Sequence, residues 1–357
     1  FKFKDLAKQH GIVAYSSNYA LYADMSNRVM SILRQYSPDQ EVYSIDESFA
    51  DMKGIDRMRK QSWEQIARQL QTEIWNEIGV GVSIGIAPNK VLAKIASGWH
   101  KPKGITVIRT MKEIEEFLRQ VEIGDVWGIG WRSQPKLLIQ GIRTAWDYAQ
   151  KSELWVKRYF PKPFQVIHKE LNGQKLLMID DHLKDTYASI SKTRTFYPTT
   201  HDPNLLLAYL IRNLDRALTK ARDYHLVARG IGIFIKTHGK EGKFKYFYTD
   251  QRLSRASNIL GEIIPVVKEM FGKVYKTGFE YRATGVFLND LKADVSTQLL
   301  LWEDSDNLAK KKKLSMVIDK IRLKHGFKVI SPASSLNAMK RISVESERVG
   351  LKLKVSF

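Results

Sequence analysis

The sequence predicts a multidomain α+β protein, on three observations. A chain of 357 residues with 43% hydrophobic content is long enough for two to three packed domains. Strand-like and helix-like hydrophobic periods alternate in two separate stretches, residues 11–108 and 189–288, and each order suits a sheet with helices on one face. Between them, from Met111 to about Leu177, the pattern is helical throughout. These changes divide the chain into a first α+β domain (1–110), a helical domain (111–178), a polar linker (179–188), a second α+β domain (189–295) and a C-terminal peptide with a basic tail (296–357).

Gly11-Ile12-Val13-Ala14-Tyr15 is an apolar strand candidate. A helix follows over Asn18–Gln35, with Leu21, Met25, Val29, Leu33 and Tyr36 at three- and four-residue spacing. After Pro38-Asp39 comes a hairpin over residues 41–52, then an amphipathic helix over Ser62–Asn76. Val80–Ala87 reads as a buried strand rich in small residues, and Pro88–Ser97 as a helix leaving its end. Ile105–Ile108 closes the domain as a strand. In the helical stretch, Val126-Trp127-Gly128-Ile129-Gly130, leading through Lys136 to Gly141, resembles a helix-hairpin-helix motif. Glycines there bring backbone N–H groups toward a DNA phosphate with no Cβ in the way. The bland alternative is a glycine loop between two helices.

The second α+β domain reads as a strand at Ser189–Tyr197, a helix at Asn204–Tyr224, paired strands at Ala228–Thr237 and Lys243–Tyr248, a helix at Ala256–Phe271 and a strand at Tyr281–Leu288. Arg194, Arg229, Lys236, Lys243 and Lys245 lie on or near these strands, which suits a sheet laid against a phosphate backbone. Gln298, Leu299, Leu301 and Trp302 form a short apolar peptide with a leading Gln, either a linear docking motif or a terminal strand. Lys310–Lys313 reads as a solvated helix start, Leu314–Leu323 as helix, and Val329–Phe357 as a basic tail of less clear order.

Charge narrows the partner. Lys and Arg number 58 against 38 acids, a net +20, and the pI is near 9.8. The excess points to a polyanion, and no apolar run reaches membrane-span length, so nucleic acid is the better partner than a membrane. There is no cysteine, which removes thiolate metal sites and fits a cytoplasmic protein. The eight His have no metal-ligand spacing, and neither a P-loop nor a nucleophile elbow is present.

The chemistry concentrates at Tyr43-Ser44-Ile45-Asp46-Glu47-Ser48-Phe49. Neighbouring strand residues point to opposite faces, so Asp46 and Glu47 share a metal only at a bend. There, paired carboxylates suit a hard divalent cation. An Asp-Glu pair that is simply solvated at a turn is the alternative. Lys90 and Lys94 lie one helical turn apart and share a face, as a triphosphate pocket or as ordinary surface charge.

These motifs, in this order and spacing, resemble the Y-family translesion DNA polymerases, in particular their UmuC-type branch. The Tyr43–Phe49 run is similar to the family's metal-binding palm hairpin. Ser83–Ala87 with Asn89-Lys90 and Leu92–Ser97 is similar to the next palm block, and Val126–Gly130 to the thumb. Ser17–Tyr19 with Leu21–Ser26 resembles the UmuC branch, and Gln298–Trp302 the family's sliding-clamp peptide. The likeness runs over about residues 1–325. It implies a palm sheet with helices on one face, a helix-hairpin-helix thumb and a separate α+β little finger. It implies Asp46 and Glu47 as catalytic metal ligands for two Mg²⁺ ions, and Lys94 on the incoming nucleotide. DNA contacts fall to Gly128, Gly130, Lys136, Arg194 and Lys236. The implied partners are primer-template DNA, deoxynucleoside triphosphates, the sliding clamp, and a UmuD-type subunit with RecA. The implied role is error-prone synthesis across damaged DNA in the SOS response.

Two departures accompany the resemblance. The family's first palm strand, with a further metal-binding Asp and an aromatic residue that excludes ribonucleotides, has no counterpart after Phe1. The expectation is that the chain lacks its true N-terminus and is weak or inactive alone. Ser331–Phe357 does not match the UmuC C-terminal segment, which loosens the expectation of UmuD and RecA partners. The rival reading is a non-catalytic, clamp-tethered DNA-binding repair factor.

Overall fold

The computed structural model describes residues 6–7, 9–13, 17–180, 187–239, 244–294 and 304–348. The chain forms two compact units, one spanning Ser17–Leu183 and the other built on Lys184–Phe357 together with Phe1–Ser16.

In the first unit, α1 (Tyr19–Tyr36) is capped by the Asn18 side chain, which accepts from Leu21 N–H. Strands β1 (Gln40–Val42) and β2 (Ser48–Ala50) pair antiparallel, Glu41 opposite Phe49. A short α2 (Ile55–Arg59) precedes α3 (Trp63–Ile78), which opens with a capping box between Ser62 and Gln65. β3 (Ile84–Ile86) pairs in parallel with β4 (Ile105–Val107), and α4 (Lys90–Trp99) connects them. Among the described residues the strands thus form two short ladders. Gly85 lets α4 lie directly on β3: a Cβ there would overlap the Ala93 carbonyl oxygen and the Ser97 nitrogen. The helical stretch contributes α5 (Met111–Leu118), a 3₁₀ turn (Ile123–Asp125), α6 (Gln134–Ile139), α7 (Ala145–Ala149), α8 (Glu153–Tyr159) and α9 (Lys162–Leu171).

This unit has two cores. Ile32, Tyr36, Ile66, Leu70 and Ile74 join α1 to α3. The larger core holds Val91, Leu92, Ile95 and Ala96 of α4 together with Ile114, Leu118, Leu137, Tyr148, Ile167 and Leu171. One face of α4 is therefore buried against residues 108–171, while its two lysines remain for other work.

The second unit has the order β5 (Ser189–Thr200), α10 (Pro203–Asp223), β6 (Leu226–Thr237), β7 (Tyr246–Ser257), α11 (Leu260–Val274), β8 (Tyr281–Ala293), α12 (Ser305–His325) and α13 (Leu336–Arg348). Its antiparallel sheet runs β5-β8-β6-β7. One face is covered by α10 and α11 through Leu206, Leu210, Leu214, Leu218, Val267 and Met270, which meet Ile231, Ile233, Ile235, Val286 and Leu288. α12 has Leu314, Met316 and Leu323 exposed, and it docks through charge. Arg322 takes Asp215 at 2.8 Å, Asp319 takes Arg222 at 2.5 Å and Lys312 takes Asp294 at 2.6 Å.

The α+β reading of both halves agrees with this architecture, with local corrections. The strand expected at residues 11–15 is absent from its described part. Gly11–Val13 form no ladder and Val13 is 67% exposed, because an apolar run becomes a strand only beside a hydrogen-bonding neighbour. The strand expected at Val80–Ala87 shrinks to Ile84–Ile86. β7 continues nine residues beyond Tyr248, into a stretch expected to start the next helix. Lys310–Lys313 lie inside α12, and the basic tail, read as of less clear order, carries α13. Residues 298–302 of the expected docking peptide and residues 181–186 of the linker lie outside the described residues.

Candidate active site

The loop between β1 and β2 holds Asp46 and Glu47 at the bend that metal sharing requires. The Tyr43 and Ser44 amides both donate to the Glu47 carbonyl at 3.0 Å and close the turn. Asp46 is exposed; its carboxylate accepts from the Ser44 hydroxyl at 2.6 Å, and its own N–H donates back to that oxygen at 3.3 Å. Asp51, at the foot of the hairpin, is held below the usual carboxylate range first by its bond from Lys175 at 2.7 Å, then by the Lys53 N–H.

The α4 lysines both turn to this hairpin, but differently. Lys94 meets Glu47 at 3.1 Å in a half-exposed pair. Lys90 meets Glu41 at 2.6 Å with both side chains largely buried, and its ammonium lies 4.9 Å from the Phe49 ring centroid. Glu41 also accepts from the Asp180 N–H at 2.8 Å. Lys90 is thus a structural tie, and Lys94 is the lysine with access to solvent beside the carboxylate turn. Trp127 packs on the same hairpin, 5.3 Å from Tyr43 and 5.4 Å from Phe49.

The position of α4 is set by a carboxylate that the sequence reading passed over. Glu170 of α9 is fully buried. It accepts from Val91 N–H at 3.0 Å, in the first turn of α4, and from Leu176 and Leu177 N–H at 3.0 and 2.6 Å. Asn89, the N-cap, accepts from Leu92 N–H and donates to the carbonyls of Glu170 and Gln174. Glu170, about eighty residues from Asn89, carries no local signal.

Oxygen-only donors at the turn suit Mg²⁺, which is commonly held by one or two carboxylates plus substrate oxygens. Asp46 and Glu47 are the two carboxylates that would hold such an ion, and among the described residues no cluster of three His, Cys, Asp or Glu side chains forms a complete metal cage.

The candidate DNA contacts separate. Gly128 has φ +93°, a backbone conformation that favours glycine whatever the space around it, and among the described residues a Cβ there would approach only the tip of the Ile167 side chain. Gly130 has open space around it, and Lys136 is exposed on α6 beside Trp131 and Ile139, 77% and 86% exposed. In the second unit Lys236 lies on the open face of the sheet, its ammonium 3.4 Å from the Phe244 ring centroid. That face is more aromatic than the expected basic surface, with Tyr246 and Tyr248 half-exposed over Phe234 and Phe287. Arg194, two residues from Phe196 of the core and four from Ile190, stands on the helix-covered face. Strand alternation in that edge strand decides this, and a basic-residue count does not see it.

A model of the impB/mucB/samB family matches residues 1–98, and the model of that family's C-terminal domain matches residues 188–301. Protein UmuC of Salmonella typhimurium is 29% identical over 333 residues, covering 91% of this chain and 78% of that protein. DNA polymerase IV of Oceanobacillus iheyensis is 27% identical over 332 residues, covering 91% and 76%. A solved Y-family DNA polymerase chimera superposes with a TM-score of 0.62 at 22% identity, over 77% of this chain and 78% of that one, so the fold is shared.

Proposed function

Because the chain belongs to the impB/mucB/samB family, we propose that it is a DNA-directed DNA polymerase of the Y-family translesion class. The reaction is attack of a primer 3′-hydroxyl on the α-phosphate of a deoxynucleoside triphosphate, with release of pyrophosphate. The observation that carries the reading is the Asp46–Glu47 turn set against Lys94 of α4.

Asp46 and Glu47 would hold Mg²⁺, which when bound would supply charge stabilisation to the attacking and leaving oxygens. The protein's part is positional. Ser44 fixes the Asp46 carboxylate at the tip of the turn. Glu47 neutralises Lys94 until a triphosphate competes for that ammonium; the pair is half-exposed, so exchanging one anion for another costs little. Lys90 and Glu41 hold the hairpin to the helix during the exchange. Gly128, Gly130 and Lys136 are read as backbone and side-chain contacts to a DNA phosphate, and Lys236 as a contact of the sheet. Engagement of a sliding clamp by Gln298–Trp302, and use in the SOS response, belong to the same reading.

The test is primer extension with Mg²⁺ on undamaged and abasic templates. Asp46→Ala is expected to lower extension at least about a hundredfold, since metal stabilisation contributes several kcal/mol, while DNA affinity is retained. Extension that survives the substitution overturns the site assignment.

A further inference from the structure

Five basic side chains follow one seam of the second unit. Lys192 and Arg194 share a face of β5, which is an edge strand. Arg212, Arg216 and Lys220 recur every four residues on α10, which packs against β5. The two rows interleave: Lys192 lies in the field of Lys220 and Arg216, and Arg212 in that of Arg216 and Arg194. Like charges four apart on a helix oppose one another. Asp215, beside them, is already committed to Arg322, whose guanidinium grips it at 2.9 and 2.8 Å. The Nε atoms of Arg212 and Arg216 are shielded from solvent and meet no hydrogen-bond acceptor among the described residues. The Arg216 guanidinium lies 4.4 Å from the Phe327 ring centroid, which fixes it in place without offering an acceptor. Burial, then Arg216 and Arg194, bring the Arg212 guanidinium down to about 10.

Half-buried guanidinium donors are costly without an acceptor. A single carboxylate would offset little of so large a local charge. A phosphate carries several acceptor oxygens that fit the guanidinium fork. We propose that the β5–α10 seam is a phosphate-binding site, in which Arg212 and Arg216 grip the oxyanion while Lys192, Arg194 and Lys220 supply the surrounding field. The phosphate comes either from a nucleic-acid strand or from a free inorganic species. The seam lies in a different unit from the Asp46–Glu47 turn, so its failure leaves the polymerase reading standing.

The experiment is thermal unfolding in sodium phosphate and in sodium chloride of matched ionic strength, and with a short thymidine oligonucleotide in chloride. The proteins are wild type, Arg212→Gln/Arg216→Gln and the control Lys273→Gln, which removes an exposed charge on α11. At ligand about tenfold above Kd, the wild type is expected to melt about 3–5 °C higher than in chloride. The double variant loses that rise. In chloride it melts no lower than wild type, because a repulsive pair has gone. A rise with inorganic phosphate identifies a free oxyanion as sufficient. A rise with oligonucleotide alone, lost in the double variant, identifies the strand. No rise with either probe, or a rise that the double variant keeps, overturns the proposal.

Discussion

Replacing Glu170 by Gln tests whether one buried carboxylate sets the position of α4. The side chain is fully buried and accepts three backbone N–H bonds, one from Val91 and two from Leu176 and Leu177. Bonds to a charged acceptor contribute about 1.5–3 kcal/mol each. A glutamine in the same place keeps its oxygen on the Leu176–Leu177 side at best, which sets its NH₂ against the Val91 N–H. One charge-assisted bond is lost, a buried donor is stranded at about 1–3 kcal/mol, and the remaining two bonds weaken. The expected loss is about 4 kcal/mol. Seven of the eight tryptophans lie between residues 17 and 183, so tryptophan fluorescence in urea reads this unit almost alone. A shift below about 1 kcal/mol, against the 1.5 kcal/mol minimum for a single charged bond, would refute the account of Glu170 as the anchor.

Three further outcomes are expected. Lys94→Met should raise KM for the deoxynucleotide about tenfold or more with little change in stability, because its half-exposed pair with Glu47 contributes under about 1 kcal/mol; steady-state kinetics and a melting curve separate the two. Arg322→Ala leaves Asp215 buried without its bidentate partner and should cost the second unit about 3 kcal/mol; adding Asp215→Ala should recover part of it in a urea titration followed by hydrogen exchange of the β5–β8 amides. Asp51 has a folded-state pKa below its ordinary ~3.9, so its contribution is complete above that value and disappears as pH falls through the lower, folded one. Asp51→Asn should therefore be less stable than wild type at pH 6, and the gap should close toward pH 2; an unchanged gap would dismiss the Lys175 contact.

The sequence is most legible where function and periodicity coincide. The hairpin, the bend at Asp46–Glu47 and the helix carrying Lys94 follow from local pattern, because a turn, a strand and an N-cap are each decided within a few residues. What escaped is decided over long separations. Lys90 and Lys94 look equivalent in sequence, yet Glu41 captures one and Glu47 the other. Glu170 draws no reading from the sequence, since Val91, Leu176 and Leu177 close on it only in the folded chain. α12 has no apolar stripe, so its docking through Arg322, Asp319 and Lys312 is invisible to hydrophobic periodicity. Arg194 reads by charge as part of one basic sheet surface with Lys236, whereas the two-residue period of β5 puts it on the opposite, helix-covered face beside α10.

The strand order β5-β8-β6-β7 carries a consequence for how the second unit is made. β8 is the last of the four strands to be synthesised, and it fills the gap between the first and second, pairing Ser189 with Asn289 and Ile231 with Leu288. The β6–β7 hairpin closes locally, but β5 has no ladder partner until residue 293 has left the ribosome. At about 5–20 residues per second, β5 waits several seconds with its backbone unpaired. Its charges then act as a safeguard: an edge rich in Lys192, Arg194 and neighbouring Ser and Thr resists pairing with another nascent chain. Truncation before Tyr281 removes the central strand outright, so the ribosome must deliver β8 before any cooperative sheet forms.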